Sequence, residues 1–113
     1  MSERYVPDEG DIVWMNFTPQ SGHEQSGRRP AVVMTPRSYN SRSGLVVCVP
    51  VTNQIKGYPF EVLLAESGAT GAALADQIKS LDWQTRKAER KGKTAAAEMA
   101  EIKSRIKSLL RLA

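Results

Sequence analysis

The stretch that most constrains the fold is Leu45 to Val51, Leu-Val-Val-Cys-Val-Pro-Val. A near-continuous apolar run of this kind, closed by Thr52-Asn53-Gln54, reads as a strand buried on both faces. It belongs in the interior of a sheet. Further short strands are predicted around it. Asp11 to Thr18 follows the turn Pro7-Asp8-Glu9-Gly10, and Pro30 to Pro36 forms the second strand. Phe60 to Leu64 and Gly71 to Ala75 are short candidates, and Asp76 to Trp83 reads as a further strand with imperfect alternation. Tyr39 to Gly44 reads as a connection and Lys56 to Pro59 as a loop.

The period then changes. Met99, Ile102, Ile106, Leu109 and Leu110 form a helical stripe, with Thr94 as its N-cap and Ala95 to Ala97 as strong helix formers. Several short strands followed by one amphipathic helix describe a mostly β (α+β) domain. The economical architecture is a small, partly open β-barrel with a C-terminal helix packed on it. At 113 residues the chain suits a single domain spanning 1–113.

A polar loop runs directly into the second strand as His23-Glu24-Gln25-Ser26-Gly27-Arg28-Arg29-Pro30. Pro30 biases Arg29 towards an extended conformation and is expected to open the strand. Arg29 is therefore expected at the rim of the sheet, aimed by a stiff backbone. A solvated loop whose charges serve solubility is the alternative.

Charge is uneven along the chain. Residues 1–75 hold six basic and seven acidic side chains, whereas residues 76–113 hold ten and five, which accounts for the net charge of +4. A basic segment on a neutral body points to a polyanion, with nucleic acid first, although a solvated helix face gives the same composition. No apolar run approaches the ~20 residues that span a bilayer, and the N-terminus lacks a signal-peptide core. Cys48 is the only cysteine, so an internal disulfide and a cysteine-based zinc site are excluded. A cytoplasmic location fits.

His23 is the only histidine, which rules out a two-histidine ribonuclease mechanism within one chain. No nucleophile elbow, P-loop or Rossmann glycine pattern occurs, and the acidic residues form no evident two-metal cluster. Arg29, Glu24, Thr52 and nearby lysines and amides remain, a set suited to a phosphate.

Glu24-Gln25-x-Gly27-x-Arg29-Pro30-Ala31-Val32-Val33, Val49-Pro50-Val51-Thr52, Lys56-Gly57-Tyr58-Pro59-Phe60-Glu61-Val62 and Asp76-Gln77-Ile78-Lys79-Ser80-Leu81 resemble the MazF/PemK toxins in sequence order. The opening Arg4-Tyr5-Val6-Pro7-Asp8-x-Gly10-Asp11 does so too, and after Arg86 the likeness is one of character only. The resemblance implies an SH3-like/CcdB-like barrel, a homodimer, and a ribosome-independent, sequence-specific endoribonuclease paired with a MazE-like antitoxin. It also implies that Arg29 and Thr52 are the catalytic pair with Glu24 in support. Single-stranded RNA would be cut without a metal or other cofactor, leaving a 2′,3′-cyclic phosphate and a 5′-hydroxyl.

Expected RNA contacts are Phe17 by stacking, Gln25, Asn40 and Gln77 through base edges, and Lys56, Lys79 and Arg86 through phosphates. Core, turn or loop roles are the alternatives for Phe17 and the amides. Trp14, Ile78, Leu81 and Trp83 are assigned to the core or an interface. Lys87, Arg90, Lys91 and Lys93 meet RNA or an acidic antitoxin tail, or else form a solvated connection. A noncatalytic RNA-binding barrel would not need Glu24, Arg29 and Thr52 together. A CcdB-type gyrase poison would end in an aromatic-Gly-Ile tail, and this chain ends Leu110-Arg111-Leu112-Ala113.

Overall fold

A computed structural model describes residues 4–17, 27–68 and 70–113. The elements run β1 (Asp11–Asn16), β2 (Arg28–Val33), α1 (Arg37–Ser43), β3 (Leu45–Thr52), β4 (Glu61–Leu63) and β5 (Ala72–Leu74). A 3₁₀ turn (Ala75–Gln77), β6 (Lys79–Asp82), β7 (Glu89–Lys93) and α2 (Ala96–Leu110) complete the chain. All pairings are antiparallel, in the order β4-β5-β3-β2-β1-β7, with β6 added on β3. The sheet bends without closing, in line with a partly open barrel.

β3 is the hub. One edge pairs with β2, while the other pairs with β6 over Leu45 to Cys48 and with β5 over Val51 and Thr52. Its side chains feed both cores, as the apolar run predicts. Val49 and Val51 join Ile12, Val32, Leu64, Ile102 and Ile106 on one face. Val46 and Cys48 join Val13, Met15, Phe17, Ala31, Val33 and Trp83 on the other. Each fully buried aliphatic side chain contributes ~1.5–3 kcal/mol, so slipping β3 by one residue, which exchanges its faces, is strongly disfavoured.

Several boundaries and roles differ from expectation. β2 begins at Arg28, so Pro30 is its third residue and not its first. Pro30 pairs with Trp14 of β1, but pairing with β3 starts only at Ala31, and the missing N–H leaves no gap in that ladder. The Asp76 to Trp83 stretch divides into the 3₁₀ turn and β6. The basic run before the C-terminal helix is β7, paired with β1 through a bulge between Ile12 and Val13. Thr94 is not the N-cap. Its hydroxyl donates to Gly10 O at 2.9 Å, and Ala95 takes the cap position with its N–H bonded to Glu98 Oε1 at 2.9 Å. Ile102 and Ile106 are buried and Met99 packs against the same core, whereas Leu109 and Leu110 are 37% and 53% exposed, so the apolar stripe leaves the core only in its last turn.

The predicted connection at Tyr39 to Gly44 is instead most of α1. Serines and asparagine give it poor helix propensity, and tertiary bonds hold it. Asn40 is fully buried and donates to Pro7 O at 2.8 Å and Thr35 O at 2.9 Å, while its Oδ1 accepts from Thr35 Oγ1 at 2.6 Å. Trp83 Nε1 donates to the Asn40 carbonyl at 2.8 Å, tying α1 to the second core. Gly44 at φ +74° caps the helix in the left-handed conformation.

Two stability predictions follow from this packing. Asn40→Ala removes the three side-chain bonds and strands their partners, and is expected to cost ~2–4 kcal/mol in urea unfolding. Burial pushes the Cys48 thiol up to about 12. Native protein at pH 8 is therefore expected to leave a thiol-specific reagent unreacted until denaturant is added.

Candidate active site

Alternation along the strands puts three of the expected phosphate-handling residues, Arg29, Thr52 and Lys79, on one face of the sheet. Arg29 pairs with Met15 of β1 and shares its face with Ala31 and Val33. Ala31 pairs with Pro50 of β3. Carrying that register on by two residues sets Arg29 level with Thr52, the last residue of β3. Thr52 is 5% exposed, pairs with Ala72, and accepts from the Gln54 N–H at 3.1 Å through Oγ1. Lys79 opens β6 opposite Cys48 on the same face, with its ammonium 5.8 Å from the centre of the Phe17 ring.

Gly71 explains how this end of β3 stays in place. Its φ is +105°, and a Cβ there would lie 2.4 Å from the Thr52 carbonyl oxygen. Only glycine permits that approach.

Below Thr52 lies an open hollow of about 300 Å³, lined among others by Gln54, Lys56, Tyr58, Glu61 and Gln77. It brings together Thr52, Lys56 and Gln77, three of the residues expected from the sequence. Gln77 Oε1 is buried and has no hydrogen-bond partner among the described residues. A buried acceptor without a donor is costly, which marks this amide as one whose needs the fold itself does not meet. The loop above the hollow is tethered twice. The Glu61 carboxylate accepts from the backbone N–H groups of Lys56 and Gly57, and Tyr58 Oη donates to Asp76 Oδ1 at 2.8 Å.

Arg29 does not line that hollow; it borders a separate depression with Trp14, Pro30, Val51, Asn53 and Lys91. Lys91 Nζ stands 5.6 Å from the centre of the Trp14 ring, which is 37% exposed, so Trp14 is a surface residue and an interface candidate. Arg28 donates to Asn16 Oδ1, Lys87 O and Glu89, bracing the start of β2 against β1 and β7.

Two expected contacts are corrected. Phe17 is 3% exposed and belongs to the second core, so neither ring face is open to stack on a base. The Asn40 amide is spent on internal bonds and reads no base edge. Arg86 donates to Asn16 O at 3.0 Å and so braces the end of β1. Glu24, Gln25 and His23 lie outside the described residues. Among the described residues, no group of three or more His, Cys, Asp and Glu side chains gathers to hold a metal ion. No helix among them is long and apolar enough to cross a membrane.

Tyr58 and Glu61 were missed as functional candidates because their signal is spatial: each reaches across a loop. Burial, reinforced by the bond to Asp76, pushes the Tyr58 phenol up to about 12. A raised acid pKa means the Tyr58–Asp76 contribution is full below pH 10 and is lost as pH rises through about 12. The Tm advantage of wild type over Tyr58→Phe is therefore expected to be constant from pH 7 to 9 and to shrink above pH 10.

Residues 8–110 match the family described as the PemK-like, MazF-like toxin of type II toxin–antitoxin systems. The chain is 51% identical over 110 residues to the endoribonuclease toxin MazF of Escherichia coli K12, covering 97% of this chain and 99% of that one. It is 34% identical over 111 residues to the endoribonuclease toxin ChpB of the same organism, covering 93% and 90%. A crystal structure of MazF from Deinococcus radiodurans superposes with a TM-score of 0.91 at 52% identity, covering 96% and 100%. A MazE–MazF structure from that organism superposes at 0.88 with 51% identity, covering 97% and 100%. With the strand order, the C-terminal helix and nearly the whole chain in common, the protein belongs to the PemK-like, MazF-like family of type II toxin–antitoxin toxins.

Proposed function

We propose that this endoribonuclease toxin cuts single-stranded RNA at a centre formed by Arg29 and Thr52, with Glu24 supplied by the sequence that precedes β2. The ribose 2′-oxygen attacks the adjacent phosphorus, and the bond from phosphorus to the 5′-oxygen breaks. The products are a 2′,3′-cyclic phosphate and a 5′-hydroxyl. Arg29 donates paired hydrogen bonds to the phosphate and stabilises the charge that develops on it. It also supplies the proton taken up by the leaving 5′-oxygen. A guanidinium with a pKa above ~12 is a poor base, so Glu24 takes the 2′-proton. Thr52 adds a hydroxyl to the same phosphate.

The observation that supports this reading is that Arg29 borders a depression with Val51 and Asn53, the residues on either side of Thr52, and lies on the face of the sheet that Thr52 shares. Lys56 and Gln77 line the hollow below Thr52 and are suited to the flanking phosphate and to a base N–H, and Lys79 stands on the Arg29 face of the sheet. Gln25, in the sequence that precedes β2, is a further candidate for reading a base edge. No metal takes part. We extend the MazE–MazF pairing of the Deinococcus relative to a MazE-like antitoxin for this chain, which acts as a homodimer in the cytoplasm.

The test is cleavage of a long RNA in EDTA, with the ends mapped. Wild type is expected to give discrete cuts with cyclic-phosphate ends. Arg29→Ala is expected to lose ~10²–10³-fold in kcat and Thr52→Ala about 10-fold, both retaining RNA binding. If Arg29→Ala cuts at the wild-type rate, the centre lies elsewhere. An unchanged pH–rate profile in Glu24→Gln would remove Glu24 as the base.

A further inference from the structure

We propose that Glu61 is a positioning residue for RNA binding, acting through Lys56; this rests on the reading that the hollow beside Thr52 holds RNA. Glu61 opens β4 and lines the hollow together with Thr52, Lys56 and Gln77. A carboxylate in such a place repels a phosphate unless its lone pairs are already engaged. Here both oxygens are engaged. Oε2 accepts from the Lys56 N–H at 2.9 Å, and Oε1 accepts from the Gly57 N–H at 2.6 Å and again from Lys56 at 3.2 Å. The Glu61 N–H returns a bond to the Tyr58 carbonyl at 3.1 Å, which closes the turn. Gly57, at φ +80°, lets the chain present two successive N–H groups to one carboxylate.

The consequence is directional. The amide N–H groups offset part of the charge of Glu61, and the backbone of Lys56 is held where this residue lines the hollow. A carboxylate accepts at both oxygens, whereas a carboxamide turns an NH₂ towards one of two N–H donors. Glu61→Gln therefore keeps the size of the side chain but, with its oxygen in the Oε1 place, loses the 2.9 Å bond from Lys56, sets an NH₂ against that N–H, and leaves only the longer 3.2 Å contact. The bonds lie at the surface, so the fold depends on them little. The Tyr58–Asp76 bond still holds the far end of the loop.

The experiment is a double-mutant cycle on a fluorescent oligoribonucleotide spanning a cut mapped with wild type. It uses Glu61→Gln, Lys56→Ala and the double variant, with Tm measured for each. Glu61→Gln is expected to raise KM about tenfold, with kcat within about threefold, an unshifted kcat pH profile and a nearly unchanged Tm. In the Lys56→Ala background the same substitution is expected to change KM less than about twofold. The proposal fails if KM is unchanged or falls in Glu61→Gln, or if the tenfold effect persists without Lys56. It also fails if the loss tracks Tm alone. Should Lys56→Ala leave KM at the wild-type value while Arg29→Ala still abolishes cleavage, the hollow is not part of the RNA path. In that case the catalytic reading stands and this one does not.

Discussion

Burial of β3 on both faces is the constraint on which the rest of the structure depends. A strand that is apolar all round has to be hydrogen-bonded on both edges and covered on both sides. β2 supplies one edge, and β6 and β5 divide the other. Cover comes from α2 on the Val49–Val51 face and from Phe17, Trp83 and their neighbours on the Val46–Cys48 face. The divided edge has a functional result. Where β3 passes from β6 to β5 its end reaches the rim of the sheet, so Thr52 is held there, 5% exposed, against the hollow that it helps to line.

The same constraint aims Arg29. Its strand is locked between β1 and β3, and the inward faces of Ala31 and Val33 fix which way every second residue points. A long guanidinium side chain costs up to ~2 kcal/mol to immobilise, and a fixed backbone lowers the part of that cost met on binding. Arg28, one residue earlier, faces the other way and ties β2 to Asn16, Lys87 and Glu89. Two adjacent arginines therefore differ by parity alone: Arg28 braces the sheet, and Arg29, on the opposite face, is the one proposed to meet the phosphate.

Much of this could be read from the chain. The doubly buried strand, its short neighbours and the terminal helix are patterns of period two or 3.6, and such patterns survive folding. What was hidden depends on contacts between distant residues. α1 has the composition of a turn and is helical because Asn40 and Trp83 hold it. β7 is too polar to look like a strand, but β1 needs a partner on its outer edge, and Arg90 brings a countercharge to within 3.9 Å of buried Asp11. Phe17 and Asn40 carry the right chemistry for RNA, but each is consumed by packing or by internal hydrogen bonds. Side-chain type proposes a site, whereas burial decides whether the atoms remain available.

Charge gives the same lesson. The basic excess of residues 76–113 pointed to RNA, yet much of it has local work. Arg86 braces Asn16, Arg90 faces Asp11, Lys91 covers Trp14, Lys103 pairs with Glu9 and Arg105 with Glu101. Exposed pairs of this kind contribute ~0–1 kcal/mol each, so they do little for stability, but they engage the cations in place. Of the cations proposed to meet RNA, Arg29 and Lys56 lie in the nearly neutral first 75 residues, where net charge gave no signal. Their common feature is position: Arg29 borders a depression with Val51 and Asn53, and Lys56 a hollow with Thr52, so both lie close to the end of one buried strand, where the proposed reading sets a few cations against a phosphate in place of a larger number spread over a helix face.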